Sequence, residues 1–242
     1  MLIAAALSVM LAASPAPAKL STCTLYGNGT LWYGACGPPF DRDPRLKLAR
    51  APEIVSGVWR TDVKPVAVWS GDMTDSGYPN APVELEFYRD GSGVLRTEYG
   101  WFPASGLVAS ATALQFTIDS SREVPPSELD RQIVRRADAI LSSASVWNRA
   151  DNRKCPATAR SWSIYCAVES ASIEITGGFH HRRPAMELVR QIIDERTAGR
   201  NYHHRLMDYN NDPTTRLADV RTLFAEALAR IDSAGLGPAQ AK

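Results

Sequence analysis

The chain has 242 residues, of which 45% are hydrophobic and 22% are charged, and its 27 basic and 26 acidic side chains nearly cancel. This balance excludes a disordered chain, a collagen and a nucleic-acid coat protein, while the length supplies one large core or two modest ones. After the first dozen residues, no apolar run reaches the ~18 residues that a transmembrane helix requires.

The N-terminus has the pattern of a secretory signal peptide. An apolar run over residues 2–13 is followed by a small-x-small sequence, Ala-Pro-Ala, that ends at Ala18 and is typical of signal peptidase cleavage. We therefore expect a secreted or periplasmic protein that starts at Lys19, with an N-terminal core helix as the structural alternative. The Leu-Ser-Thr-Cys sequence that ends at Cys23 resembles a bacterial lipobox, so a lipoprotein anchored at Cys23 is a second alternative.

Four cysteines remain after this cleavage, and they are Cys23, Cys36, Cys155 and Cys166. An even number of cysteines in an exported chain favours disulfides over metal ligation or catalysis. Among the three connectivities we favour the sequence-local one, because residues 23–36 have the pattern of a hairpin. A turn at residues 29–30, or a four-residue loop over 28–31, would place Cys23 opposite Cys36, within the ~7 Å between Cα atoms that a disulfide allows.

Residues 19–126 are predicted to form an antiparallel β unit, since short apolar or alternating runs are separated there by turn residues. The predicted strands cover residues 54–63, 65–69, 83–89, 94–102 and 113–119. The clearest hairpin joins the third and fourth of these through an Asp-Gly-Ser-Gly turn. Together with Gly57-Val-Trp59 at the start of a strand, this hairpin resembles small lipocalin-like barrels, and the resemblance implies a curved antiparallel sheet.

The apolar period becomes helical at Ser127, and residues 127–232 are predicted to form a helical bundle. A capping box of the form Ser127-x-x-Asp130 begins the first helix, and a second helix carries residues 162–168. A third begins at Pro184 and ends near residue 199, and the last begins near residue 215. The tail over residues 233–242 is expected to fray. The predicted fold class is α+β, with an N-terminal antiparallel β unit followed by a C-terminal helical bundle.

Two segments of this helical part resemble an uncharacterised family of small bacterial helical domains. They are the Cys-Ala helix over residues 164–171 and the Tyr-Asn-Asn-Asp-Pro turn over 209–213, which leads into a final helix. The resemblance covers about residues 128–232 and departs from the family at residues 169–170. It implies the helical fold and brings no activity and no cofactor.

A repeated His-His-Arg motif is the most unusual chemical feature of the chain, at residues 180–182 and 203–205. Adjacent His side chains point apart on a helix, so one from each pair would bind a metal. His181, His204 and Asp208 are the predicted metal ligands, because Asp208 lies one helical turn after His204. The compact zinc-hydrolase spacing His-Glu-x-x-His is absent from the sequence.

The first of these motifs is also a candidate anion site. Its side chains, His180, His181, Arg182 and Arg183, directly precede the predicted helix at Pro184, where free backbone N–H groups favour negative charge. The alternative interpretation is pairing with acids of the same chain, namely Glu187, Asp208 or Asp212.

The chain has 6 Trp and 8 Tyr residues, and nine of these lie between residues 26 and 101. Such rings stack on sugars or fill a thin core, and two rings exposed on one concave face would favour the sugar. The segments 69–72 and 99–101 are the candidates for stacking on a sugar.

We expect an exported non-enzymatic binding or accessory protein of the bacterial envelope, with an anionic or glycan ligand, no catalytic residue, no cofactor and no nucleic-acid partner. The alternative is a metal-dependent hydrolase that uses both His-His-Arg motifs.

Overall fold

The computed structural model describes residues 18–37, 44–57, 59–60, 63–74 and 80–234. The predicted signal sequence, apart from Ala18, and most of the predicted tail lie outside these ranges. Among the described helices, none combines the length and the apolar character that crossing a membrane would need.

Eight antiparallel strands close into a barrel in chain order. They are β1 (Leu20–Gly27), β2 (Leu31–Cys36), β3 (Arg45–Arg50), β4 (Ala67–Thr74), β5 (Ala81–Phe87), β6 (Gly93–Thr97), β7 (Gly100–Ala109) and β8 (Ala113–Asp119). The first and last strands close the barrel through a register that runs from Leu20 opposite Asp119 to Tyr26 opposite Ala113. Pairing of β1 with β8 satisfies the backbone groups that two sheet edges would otherwise expose.

Large apolar side chains fill the interior of the barrel. The Phe87 ring lies edge-on to both Trp69 and Phe116, at centroid distances of 6.4 and 6.2 Å, and all three side chains are buried. The curved antiparallel sheet that the lipocalin-like pattern implied is therefore present in closed form. The described side chains of the interior form a packed core, and the outer surface is open to a ligand.

Two disulfides form with the predicted connectivity. Cys23 pairs with Cys36 across β1 and β2, with 3.8 Å between their Cα atoms, and Cys155 pairs with Cys166. Residues 28–31 lie between the last paired positions, Gly27 and Trp32, and the Asn28 side chain accepts hydrogen bonds from the backbone N–H groups of Thr30 and Leu31. This loop length confirms the predicted hairpin, since it sets Cys23 opposite Cys36.

Five helices follow the barrel. They are α1 (Glu128–Ile140), α2 (Ile164–Thr176), α3 (Pro184–Arg196), α4 (Arg205–Asn211) and α5 (Leu217–Ser233). The α1 helix packs against α2, α3 and α5, and α3 also packs against α4 and α5. Their apolar faces share one core with Trp147.

The predicted architecture of a β unit and a helical bundle was wrong, although the class is α+β. The β unit is a closed barrel of eight strands, and the helical part is not a regular bundle. The irregular segment 141–163, which carries a bridge between Trp147 and Trp162, separates α1 from α2, and α4 has only 7 residues. Helical periodicity shows which face of each helix is buried, but it does not show how helices are connected or crossed.

The predicted strand over residues 54–63 was also wrong, because its described part is a loop between β3 and β4. The Glu84 carboxylate on β5 accepts hydrogen bonds from the backbone N–H groups of Val55, at 2.7 Å, and Ser56, at 3.2 Å. These amides are therefore unavailable to a neighbouring strand.

This β3–β4 loop packs against the end of α2 and joins the barrel to the helical part. A Cβ atom on Gly57 would lie 2.4 Å from Thr176 Oγ1, and one on Gly178 would lie 2.4 Å from the Val55 carbonyl oxygen. Gly57 also has a φ of 93°, which L side chains rarely adopt. The two glycines thus permit a backbone approach that any larger residue would prevent.

Candidate ligand-binding groove

A groove with a volume of about 720 Å³ crosses the outer face of β1, β2, β3 and β4. Strand alternation determines which side chains reach it. Leu25 and Leu46 are buried in the barrel core, so their neighbours along β1 and β3 face outward. The floor is shallow because Gly34 and Ala35 lie between longer side chains.

Two exposed tyrosines form one end of the groove. Tyr26 on β1 lies directly opposite Tyr33 on β2, and the two residues are 69% and 52% exposed. Opposite Cβ atoms on neighbouring strands lie about 5 Å apart, so both tyrosine side chains leave the same outward face of the sheet side by side. Two rings exposed on one concave face are the arrangement that favours ligand stacking over core filling.

Charged side chains continue this row across the sheet. Lys47 on β3 lies opposite Tyr33, and Asp72 on β4 lies opposite Lys47. The Lys47 ammonium is 5.9 Å from the centre of the Tyr33 ring. A second row, two residues along, places Arg45 between Ala35 and Thr74.

The polar ends of these groove side chains lack partners in the parts of the chain that the structure describes. There, Arg45, Lys47 and Asp72 make no side-chain hydrogen bond and no ion pair, although Lys47 contacts the Tyr33 ring. Arg196 in the helical part differs from them, since it pairs with Glu226 at 2.7 Å. The groove therefore offers two cations and one carboxylate that are free to bind a ligand.

The predicted sugar-stacking segments lie elsewhere and are largely buried. Trp69 and Trp101 have 1% and 0% exposure, respectively. The Trp69 ring fills the barrel interior and the Trp101 ring lies at the joint with the helical part, whereas Asp72, from the first segment, reaches the groove.

The predicted anion site lies at the joint between the barrel and the helices. His180 Nδ1 accepts hydrogen bonds from Trp101 Nε1, at 3.1 Å, and from the Arg182 backbone N–H, at 3.2 Å. His181 Nε2 is 3.3 Å from the Glu98 carboxylate. The Arg182 guanidinium donates to the Glu98 carbonyl and to Glu187 Oε1.

Arg183 is the most deeply buried cation of this segment. Its Nε is 3.0 Å from Asp130 Oδ1, and the two side chains are 1% and 0% exposed. The Trp101 ring contacts two guanidinium groups, with Arg96 at 4.3 Å and Arg183 at 5.2 Å from its centre. The contacts of residues 180–183 thus correspond to pairing within the chain. Of the acids expected as partners, Glu187 is among the described contacts, and the other described acids are Glu98 and Asp130.

The predicted metal ligands are not brought together. His181 lies at the joint, whereas His204 directly precedes α4 and its backbone N–H donates to Asp208 Oδ2 at 2.8 Å. Asp212, which was one of the acids expected to pair with residues 180–183, accepts a hydrogen bond from the Tyr202 hydroxyl. In the described ranges, no group of three or more His, Cys, Asp and Glu side chains is arranged to hold a metal ion.

The protonation of His180 should make stability depend on pH. Burial, reinforced by the nearby His181 and Arg96, lowers the pKa of His180 to about 3. Between about pH 6.5 and pH 3 the unfolded chain binds a proton there that the folded chain does not. We therefore expect the free energy of unfolding to fall as the pH falls, by at most about 1.4 kcal/mol per pH unit from this group.

Urea unfolding of the wild type and of His180→Gln at pH 7 and pH 5 measures this effect. The variant is the matched control because other groups also titrate, and burial raises the pKa of Glu86, which has the opposite effect on the pH dependence. The loss on acidification should be smaller in the variant. Equal losses in the two proteins would contradict the assignment.

Sequence reasoning missed the groove cations and the role of Asn210. The Arg-Leu-Lys-Leu alternation at residues 45–48 is the signal that could have identified Arg45 and Lys47 as outward-facing. Asn210 belongs to the segment 209–213, which the sequence indicated only as a turn before the last helix. It is instead buried in α4, where its Oδ1 accepts from Trp147 Nε1 at 2.9 Å and from the Ile164 N–H at 3.1 Å.

Comparison with known proteins identifies the helical part alone. Residues 125–230 match a family of unknown function (DUF6197). The matched range begins just before the α1 capping box and ends within α5, so it includes the helices and excludes the barrel. No curated protein and no solved structure gives a significant match to the chain. The expected relation to an uncharacterised family is therefore confirmed over this range.

Proposed function

We propose that the protein is an exported, non-enzymatic binding protein of the bacterial envelope that holds a glycan in the groove across β1–β4. The observation that carries this proposal is the exposed Tyr26–Tyr33 pair beside polar groups that have no described partner. Sugar rings have an apolar face that stacks on an aromatic ring and hydroxyl groups that bind charged or amide side chains. The groove supplies both kinds of contact in one row.

The dimensions of the groove support a ligand longer than one sugar ring. Four neighbouring strands span about 14 Å, because each strand lies about 4.8 Å from the next. The row of outward side chains extends over this distance from Tyr26 on β1 to Asp72 on β4. An oligosaccharide lying across the strands would contact the aromatic end and the charged end together.

The proposed location is the periplasm or the extracellular space. Two disulfides indicate an oxidising compartment. The predicted signal sequence is consistent with export. Because Cys23 is bonded to Cys36 inside the barrel, its thiol is not available for a lipid, which favours a secreted or periplasmic form over one anchored at Cys23.

A glycan microarray that carries neutral and acidic polysaccharides tests the proposed function. We expect the wild type to bind at least one glycan and Tyr26→Ala/Tyr33→Ala to bind it about thirtyfold more weakly, since two stacked ring contacts contribute about 1 kcal/mol each. Val108→Ala is the matched control, because Val108 is an exposed apolar residue of the barrel outside the groove. Thermal unfolding verifies that all variants fold. Failure of the wild type to bind any glycan, or equal binding by the tyrosine variant, would refute the proposal.

A further inference from the structure

We infer that the bound glycan is acidic, and that Arg45 and Lys47 bind its carboxylate groups beside the Tyr26–Tyr33 pair. This inference rests on the proposed function and specifies its ligand class.

The two cations are arranged along one strand. Arg45 and Lys47 are separated by Leu46, which is 2% exposed and faces the core, so both charged side chains face outward. Positions two apart on a strand are about 6.6 Å apart. Two cationic groups therefore line the groove at a spacing suited to separate acidic groups of one ligand.

The availability of these cations sets them apart from paired arginines such as Arg183. A buried or paired arginine has already exchanged its water for a carboxylate of the protein, as Arg183 has with Asp130. Within the described ranges, Arg45 and Lys47 have no such acid. A ligand carboxylate would thus form charge-assisted hydrogen bonds without first breaking an ion pair.

The charge balance of the groove favours a carboxylate over a neutral sugar. Among the residues that the structure describes, its lining holds two cations, Arg45 and Lys47, against one acid, Asp72. The planar guanidinium of Arg45 matches a carboxylate through two parallel hydrogen bonds. Asp72 suits a sugar hydroxyl donor, and it would repel a ligand that is anionic along its whole length. A polymer in which acidic groups alternate with hydroxyl-rich faces fits this pattern.

Affinity electrophoresis of the full chain in gels that contain polygalacturonate, alginate or hyaluronan tests the inference. Each acid is compared with its fully methyl-esterified form, which keeps the sugar backbone and removes the charge. We expect at least one acid to bind about a hundredfold more tightly than its ester, about tenfold from each cation, and this difference to shrink as salt increases.

Substitutions assign the effect to the groove. Arg45→Gln and Lys47→Gln should each weaken binding of that acid about tenfold and leave binding of its ester unchanged. Lys64→Gln is the matched control, because Lys64 is exposed and lies outside the groove lining. It should change binding less than about twofold, as expected for a distant surface charge.

The outcomes separate this inference from the proposed function. Equal binding of every acid and its ester, with loss only in Tyr26→Ala/Tyr33→Ala, would overturn the acidic ligand and keep the glycan. Binding of dextran sulfate that Lys64→Gln and Arg45→Gln weaken alike would indicate general attraction to polyanions and overturn the inference. Dimers that form in solution and dissociate in the tyrosine variant would mean that a second copy occupies the groove, and would overturn both proposals.

Discussion

Replacement of Asp130 by alanine should lower the free energy of unfolding by about 3–5 kcal/mol. The Asp130 carboxylate is fully buried and accepts four hydrogen bonds. Two come from the backbone N–H and the hydroxyl of Ser127, and the others come from Arg183 Nε and the Ala185 N–H. Removal of this carboxylate would leave the buried Arg183 guanidinium without its ion-pair partner, which costs far more than the loss of a helix cap.

Urea unfolding measures this loss, and two further variants identify its source. Ser127→Ala removes the hydroxyl of the cap and keeps the ion pair, so it should cost about 1 kcal/mol. Asp130→Ala/Arg183→Met removes both charges and should recover part of the stability that Asp130→Ala loses. A loss in Asp130→Ala no greater than that in Ser127→Ala would show that the ion pair contributes nothing.

Loss of either disulfide should lower the free energy of unfolding by about 3 kcal/mol, since each closes a short loop. The sequence separations are 13 residues for Cys23–Cys36 and 11 for Cys155–Cys166. Cys23→Ala/Cys36→Ala and Cys155→Ala/Cys166→Ala test the two bonds separately by urea unfolding. A chain with all four substitutions is the control, because dithiothreitol should destabilise the wild type and leave this chain unaffected. An unchanged midpoint for the wild type in dithiothreitol would contradict the prediction.

The local elements of this protein could be predicted because neighbouring residues determine them. The β1–β2 hairpin follows from the turn that Asn28 stabilises, and α1 begins where Ser127 and Asp130 cap each other. Closure of the barrel could not be predicted in this way. Closure depends on pairing of β1 with β8, and these two strands are far apart in the sequence. The alternation of residues within a strand does not show which distant strand it pairs with.

The candidate site shows the same division between local and distant information. The alternation of Arg45 and Lys47 with leucines indicates two outward cations, but their position beside Tyr33 follows only from the β2–β3 register. The two His and two Arg side chains before α3 were conspicuous in the sequence. Their partners include Glu98 and Trp101, which the barrel supplies from a distant part of the chain, so the sequence could not show that these charges are already paired.

The position of the groove on the outside of a filled barrel determines how a polymer would be bound. An internal cavity admits a ligand that enters from one end, whereas an external groove can hold an internal stretch of a long chain. If the proposed function is correct, the number of protein molecules bound per polymer should increase in proportion to polymer length. Each molecule would occupy a stretch set by the four strands β1–β4, and the polymer would become evenly coated rather than capped at its ends.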